Sequence, residues 1–129
     1  MNTDFNKFFY PKSIAVVGAS SKEGTLGYEL LGNLLKFGYK GKLYPINPKA
    51  DTIHDLKCYK SLSDIEDAVD LAVIMLGKNF VLQSIDECKD KNIDSVIVIT
   101  AGFKEVGEEG VTLEQDLMSK VKKYGMRLV

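Results

Sequence analysis

Short uninterrupted apolar runs are the feature that most constrains the fold of this 129-residue chain. The longer runs are Ile14–Val17, Leu71–Leu76 and Val96–Ile99, and the shorter ones are Leu43–Ile46 and Met126–Val129. Apolar and polar residues do not alternate within them, so both faces of each predicted strand should be buried. This is typical of strands in a parallel sheet that is covered by helices.

Helical periodicity fills the intervals between these runs. Leucines spaced by four predict a first helix that ends at Gly38. Its apolar stripe is Leu26, Leu30 and Leu34, with Leu31 and Leu35 beside it. Two further stripes are Val81, Leu82, Ile85 and Cys88, then Leu113, Leu117 and Val121. The last helix is predicted to begin at Thr112, which forms a capping box with Gln115, and to end at Gly125.

The element order is therefore β-α-β, an irregular segment over residues 50–67, then β-α-β-α-β. It predicts an α/β fold: a Rossmann-like parallel sheet of about five strands with helices on both faces. The irregular segment holds a possible short strand near Cys58 and a capped turn at Ser61–Asp64. Pro45 predicts a strand end or a sheet edge. We expect one domain over residues 1–129, cut from the N-terminal part of a longer protein.

Composition excludes several classes of function. The net charge of −1 offers no basic excess for nucleic acid or an anionic membrane. No apolar run is long enough to span a bilayer. Cys58 and Cys88 lack the spacing of a metal or redox motif, and one histidine makes a zinc site unexpected. Reduced thiols in the cytoplasm are the expectation.

The carboxyl ends of the predicted strands are where an open α/β sheet binds its ligand. These ends are Gly18–Gly24, Asn47–Ala50, Leu76–Asn79 and Thr100–Lys104. In the first of them, Gly18 lets the backbone turn, and Gly24 and Gly27 let the backbone and the helix approach closely. Free N–H groups and the positive helix end favour an anion there. The alternative is a tight turn that binds nothing.

The second strand end narrows the choice of ligand. A dinucleotide site needs a carboxylate for the ribose about 20 residues past the glycines, and these glycines do not have the dinucleotide spacing. Residues 42–50, KLYPINPKA, contain no carboxylate and offer Lys42 and Lys49 instead. Cations beside a ribose suit a ribose that carries a phosphate. NADP and coenzyme A both remain open at this point.

Three segments together resemble the N-terminal CoA-binding domain of the ADP-forming acetyl-CoA synthetases, relatives of the succinyl-CoA synthetase α subunit. They are residues 8–49, which include IAVVGASSKEGTLG, residues 96–110 (VIVITAGFKEVGEEG) and residues 122–129 (KKYGMRLV). The last is similar to the segment just before that family's Gly-Pro-Asn-Cys. In place of the family's frequent Val-Pro-Ala turn, this chain has Leu76–Asn79.

The resemblance implies a coenzyme A site. Its loop contacts would be Ser20, Ser21, Lys22, Glu23 and Gly24, with Gly18 and Ala19 shaping the entry. The segment along the adenosine 3′-phosphate would be Asn47, Pro48 and Lys49, with Lys49 as the charge partner. The strand end lining the pantetheine arm would be Ile99, Thr100, Ala101 and Gly102.

The resemblance also implies a division of labour. The chain would hold CoA or acyl-CoA for an ADP-forming ligase that interconverts acyl-CoA, ADP and phosphate with acid, CoA and ATP. Catalysis in the family runs through a phosphohistidine on a later domain and an ATP-grasp site, supplied by downstream domains or a partner subunit. No catalytic residue is therefore expected here, and we interpret His54 as a solvent-facing loop residue. Glu105, Glu108 and Glu109 are interpreted as a solvated loop without a metal.

Three alternatives remain open from the sequence. They are a stand-alone CoA-binding or CoA-sensing module, the regulatory region of a protein acetyltransferase, and an NADP-binding domain of a reductase. The coding sequence beyond Val129 would distinguish the first two from the ligase.

Overall fold

A five-stranded parallel sheet forms the centre of the protein. The structure, a computed structural model, describes residues 11–99 and 107–128. The strands are β1 (Ser13–Val17), β2 (Lys42–Ile46), β5 (Leu71–Ile74), β6 (Ser95–Val98) and β7 (Arg127–Leu128), in the order β2-β1-β5-β6-β7. The helices are α1 (Leu26–Lys36), α2 (Lys78–Asp90) and α3 (Gly107–Tyr124). A separate antiparallel hairpin comprises β3 (Thr52–Ile53) and β4 (Leu56–Lys57).

The sheet has helices on both faces, as predicted. From β1 the chain moves to β2 on one side, whereas from β5 it moves through β6 to β7 on the other. Right-handed crossovers in opposite directions place the intervening helices on opposite faces. Ile14 and Val16 of β1 accordingly pack in the cluster that contains Leu31 of α1. Ala15 and Val17 pack with residues of α2 and α3.

The two cysteines belong to this core. Cys88 on α2 is fully buried, and burial raises the pKa of its thiol to about 12. Burial and the nearby Asp51 carboxylate also raise the pKa of Cys58, on the other face of the sheet. Both thiols are free. Both cysteines are therefore packing residues of the core.

Several element boundaries differ from the sequence prediction. α3 begins at Gly107 and not at Thr112, so Glu108 and Glu109 lie in a helix, and their interpretation as loop residues is wrong. The irregular segment contains the β3–β4 hairpin, where only one short strand was predicted. The predicted turn at Ser61–Asp64 is a 3-10 helix over Leu62–Asp64, and the Ser61 side chain does not cap it.

The predicted apolar stripe of the first helix begins at Leu26, but the leucine that α1 buries most fully is Leu31. Leu31 is fully buried, whereas Leu26 is 57% exposed. The two helix ends at glycine are confirmed, since Gly38 and Gly125 have φ values of +79° and +69°.

Pro45 lies in β2, the edge strand, as its missing N–H requires. Within the described residues, no helix is both long enough and apolar enough to cross a membrane.

Candidate functional site

Gly18 turns the chain at the point where the strand order reverses. It follows β1 directly and has a φ of +92°. A Cβ atom at this position would lie 2.1 Å from the Met75 carbonyl oxygen, which follows β5. On the other side, the Gly18 N–H donates to the Ile46 carbonyl at 3.3 Å. Only glycine fits this crowded, left-handed position, so the predicted turn at Gly18 is confirmed.

The other two glycines of the loop have different roles. A Cβ at the buried Gly27 would lie 2.7 Å from the Gly18 carbonyl oxygen, so this glycine does let α1 approach the strand end. Gly24 has a φ of +85°, but a Cβ there would meet no atom within 4 Å. The prediction of a close approach at Gly24 is therefore wrong. Its requirement for glycine comes from the backbone conformation.

Hydrogen bonds within the loop present the start of α1 to the carboxyl edge of the sheet. The Lys22 N–H donates to the Ser20 Oγ at 3.0 Å. Thr25 is the N-cap of α1: its Oγ1 accepts from the Tyr28 N–H at 3.4 Å and donates to the Lys22 carbonyl at 2.7 Å. The N–H groups of the first turn of a helix have no carbonyl partner within the helix. Together with the helix dipole, they favour an anion.

Asn47 joins the end of β2 to this loop. Its side-chain amide donates to the Ala19 carbonyl at 2.8 Å. Its Oδ1 accepts from the N–H groups of Lys49 at 2.7 Å and Ala50 at 3.1 Å. One side chain thus fixes both the glycine loop and the turn that carries Lys49. Sequence reasoning named Asn47 as a ligand contact and missed this structural role.

Two adjoining clefts run along the carboxyl edge of the sheet. The first has a volume of about 590 Å³ and lies between the end of β2 and α2. The second has a volume of about 610 Å³ and lies between the start of α1 and the end of β6. They share Gly18 and the segment Met75–Gly77, so one extended ligand can occupy both.

The structure distributes the predicted site residues over this edge. Gly18, Ala19, Asn47, Pro48 and Lys49 line the first cleft, and Gly18, Ser20 and Ile99 line the second. Ser21, Lys22, Glu23 and Gly24 form the exposed tip of the loop and are not among the residues that line these two clefts. Thr100, Ala101 and Gly102 lie outside the described residues.

Some cleft residues were not predicted. Those in the first cleft are Lys60, Ser61, Met75, Phe80, Gln83, Ser84 and Glu87, and those in the second are Thr25 and Leu26. Thr25 had a sequence signal, since it immediately precedes the leucine stripe of α1. Phe80 and Leu26 are 58% and 57% exposed, which local periodicity does not reveal.

Gly77 stands where the family frequently has proline. It is the N-cap of α2, with φ −61° and ψ 156°. These are angles that proline itself adopts. The turn after β5 therefore keeps a proline-compatible backbone although the ring is absent.

Lys42 lies at the wrong end of β2 to act with Lys49. It begins the strand, and its Nζ lies 3.5 Å from the Asp67 carboxylate. The pKa of Asp67 is lowered by a hydrogen bond from the Tyr44 hydroxyl and by Lys42, while burial and Asp67 raise the pKa of Tyr44 to about 12. The five strands of the sheet are parallel and both clefts lie at their carboxyl ends, so the amino end of β2 is remote from both clefts.

His54 is not the solvent-facing residue that was expected. It lies in the turn of the β3–β4 hairpin with a φ of +51° and is half-buried. Its Nε2 lies 2.9 Å from the Tyr28 carbonyl oxygen and its ring centroid 4.0 Å from that of Tyr28. Because a carbonyl only accepts, Nε2 is the donor. His54 therefore fixes the hairpin to α1. No group of three or more metal-ligating side chains occurs in the part of the chain that the structure describes.

The fold and the site define a class of protein. An open parallel sheet, a glycine loop leading into a helix N-terminus, and a ligand groove at the reversal of strand order are typical of Rossmann-like nucleotide-binding domains. Residues 12–129 match the family described as the CoA binding domain. The chain belongs to this family, which favours coenzyme A over the NADP alternative.

Two curated proteins similar to this chain are ADP-forming ligases. It is 46% identical to the α subunit of acetate–CoA ligase (ADP-forming) I of Pyrococcus furiosus, over 94% of this chain and 27% of that protein. It is 48% identical to 4-hydroxybutyrate–CoA ligase (ADP-forming) of Nitrosopumilus maritimus, over 92% of this chain and 17% of that protein. The chain thus spans about a quarter or less of the length of these relatives.

A solved structure supports the same assignment. The dinucleotide-forming acetyl-coenzyme A synthetase 1 of Ca. Korarchaeum cryptofilum, in complex with phosphate and ADP, superposes with a TM-score of 0.91. It is 47% identical, and the similarity covers 98% of this chain and 27% of that chain. The Rossmann-like fold and the family indicated by the sequence motifs are confirmed.

Proposed function

We propose that this chain is the CoA-binding domain of an ADP-forming acyl-CoA ligase. The observation that carries the proposal is the similarity of almost the whole chain to the corresponding part of two ADP-forming ligases. The complete enzyme would convert acyl-CoA, ADP and phosphate into acid, CoA and ATP, and the reverse. Because those two ligases are named for different acids, the acyl group stays open.

In the proposed complex, CoA extends along both clefts. Its diphosphate lies at Gly18–Gly24 and the N-terminus of α1, where N–H groups and the helix dipole compensate its charge. The 3′-phosphate meets Lys49, whose turn is held by two hydrogen bonds to Asn47. The pantetheine arm follows the second cleft, past the exposed Leu26 and on to Ile99, which is 40% exposed. Thr100, Ala101 and Gly102 would continue this contact.

The chain would position the CoA thiol and leave the chemistry to downstream domains or to a partner subunit of the ATP-grasp class. A phosphohistidine needs donors aimed at a dianion. The Nε2 of His54 instead faces a helix carbonyl, 2.9 Å away. We also propose a cytoplasmic location, which suits the free thiols of Cys58 and Cys88.

Isothermal titration calorimetry with CoA, dephospho-CoA, NADPH and NADH tests the proposal. We expect CoA to bind more tightly than NADH. A charge-assisted contact is worth about 1–3 kcal/mol, so Lys49→Ala should weaken CoA binding roughly 5- to 150-fold and leave dephospho-CoA almost unchanged. Lys40→Ala is the matched control, since it removes an exposed lysine just before β2, at the amino end of the strands and away from the clefts. Tighter binding of NADH than of CoA would refute the proposed function.

A further inference from the structure

A second lysine, Lys60, reaches the first cleft from a part of the sequence that the motifs do not cover. Lys49 and Lys60 are 11 positions apart and both line this cleft. Among the described residues that line it, Glu87 is the only other charged one, so these residues carry a formal excess of one positive charge. Within residues 11–99 and 107–128, neither lysine forms an ion pair.

The path of the chain explains why both lysines line the same cleft. After β2, residues 48–58 leave the sheet edge, form the β3–β4 hairpin and return. On return, Tyr59 pairs with the end of β2: its N–H donates to the Pro45 carbonyl at 2.8 Å, and its carbonyl accepts from the Asn47 N–H at 2.9 Å. Lys60 is the next residue. It therefore starts from the same strand end as the turn that carries Lys49.

The returning segment is held at two further points. The Cys58 N–H donates to the Asp51 carbonyl at 2.9 Å, which closes the base of the hairpin. His54 fixes the tip of the hairpin to Tyr28 on α1. A lysine on such a backbone loses less freedom on binding than one on a mobile loop.

Glu87 lines the first cleft from the third turn of α2. It also lines a smaller cavity with Ser61, Ser63, Asp90 and Lys91. The Gln83 side-chain amide lies 3.4 Å from its carboxylate. Among the described residues of the first cleft, two lysines thus face one carboxylate, a balance that favours an anion.

We propose that Lys60 acts with Lys49 as a two-lysine subsite for a ribose 3′-phosphate, and that it adds to the preference for CoA over dephospho-CoA. This rests on the proposed function, because CoA is the ligand that carries this phosphate. Two cations suit a phosphomonoester, whose charge near neutral pH approaches −2. Both side chains are exposed; Lys49 supplies the direct contact and Lys60 adds a Coulombic one.

Calorimetry on four forms of the protein tests this subsite: wild type, Lys60→Ala, Lys60→Arg and Lys57→Ala. Lys57 is the control, because it is an exposed lysine of the same hairpin and its Nζ lies 5.0 Å from the centre of the Tyr59 ring. We expect Lys60→Ala to weaken CoA about two- to fivefold, as for an exposed ion pair, with dephospho-CoA unchanged. Lys60→Arg should retain the preference, and Lys57→Ala should not alter it.

The outcomes separate this proposal from the proposed function. If the wild type binds CoA and Lys60→Ala weakens both ligands equally or neither, the Lys60 subsite is wrong and CoA binding stands. If the wild type binds both ligands equally, no 3′-phosphate subsite exists, although the domain still binds the coenzyme. Absence of CoA binding in the wild type would overturn the proposed function and this subsite with it.

Discussion

Gly18→Ala is the substitution that most directly tests how the loop is built. A methyl group at this position would face two separate costs: a backbone conformation that L-residues avoid, and a collision with the end of β5. The two costs are separable, because Gly24 has the same kind of backbone conformation without the collision.

The conformational cost is the smaller of the two. At φ +92° and +85°, Gly18 and Gly24 both lie in the left-handed region. An L-residue there costs about 1–2 kcal/mol. At Gly24 nothing lies within 4 Å of the added Cβ, so Gly24→Ala should reduce the free energy of unfolding by that amount alone.

The collision adds to this at Gly18. The new Cβ would lie 2.1 Å from the Met75 oxygen and 2.8 Å from the Met75 carbonyl carbon. Both are backbone atoms, and the Met75 N–H is bonded to the Val17 carbonyl at 2.7 Å, so neither can move without disturbing the pairing of β1 and β5. Overpacking of this kind costs about 1–3 kcal/mol. The total for Gly18→Ala is about 2–5 kcal/mol, a large part of the 5–15 kcal/mol that stabilises a typical domain.

Urea unfolding followed by circular dichroism measures both substitutions, and equal m-values would show that each unfolds in the same two-state transition. Gly18→Ala should be the less stable variant by at least about 1 kcal/mol. If the two variants have the same free energy of unfolding, the close approach of Gly18 to Met75 does not constrain the loop and the reasoning above is refuted.

Two further predictions concern hydrogen bonds that join distant segments. Asn47→Ala should lower the free energy of unfolding by about 1–3 kcal/mol in urea unfolding, because the Ala19 carbonyl and two N–H groups lose their partner. It should also weaken CoA binding in calorimetry. The control, Asn33→Ala on the exposed face of α1, should change neither quantity. Hydrogen bonds from Lys120 and Tyr124 hold the pKa of Asp86 in the folded protein below its ordinary value of 3.8. Ionised Asp86 therefore stabilises the fold above pH 3.8, and this stabilisation is lost as the pH falls through the lower pKa of the folded state. The stability deficit of Asp86→Asn, measured by thermal unfolding between pH 7 and pH 2, should therefore shrink towards low pH; a constant deficit would contradict the lowered pKa.

Features that depend on local periodicity could be predicted from the sequence. The apolar runs predict all five strands of the parallel sheet, and the apolar stripes predict the three helices of residues 11–99 and 107–128, because burial on one or both faces leaves a repeat in the chain itself. Helix boundaries were less certain: the start of α3 was placed at Thr112, although the helix begins at Gly107. The capping box therefore lies inside the helix, and the two glycines before it, Gly107 and Gly110, are residues whose low propensity predicts no helix there.

The sequence alone also determined the family, since the glycine loop and the two later motifs fall in the right order along one chain. It identified the glycine loop and the lysine after β2 as parts of one ligand edge, because the carboxyl ends of parallel strands always meet. Lys42 begins β2, so the direction of this strand is already enough to exclude Lys42 from the ligand site at the carboxyl end.

Only the tertiary structure decided which side chains complete that edge. Asn47 bonds to Ala19 across 28 positions, His54 to Tyr28 across 26, and Lys60 reaches the cleft because Tyr59 returns to the end of β2. No short-range repeat specifies such contacts, since they depend on how a loop of a dozen residues closes in space. Periodicity therefore fixes the layers of this protein, and the closing of one loop decides where Lys60, the second lysine of the first cleft, lies.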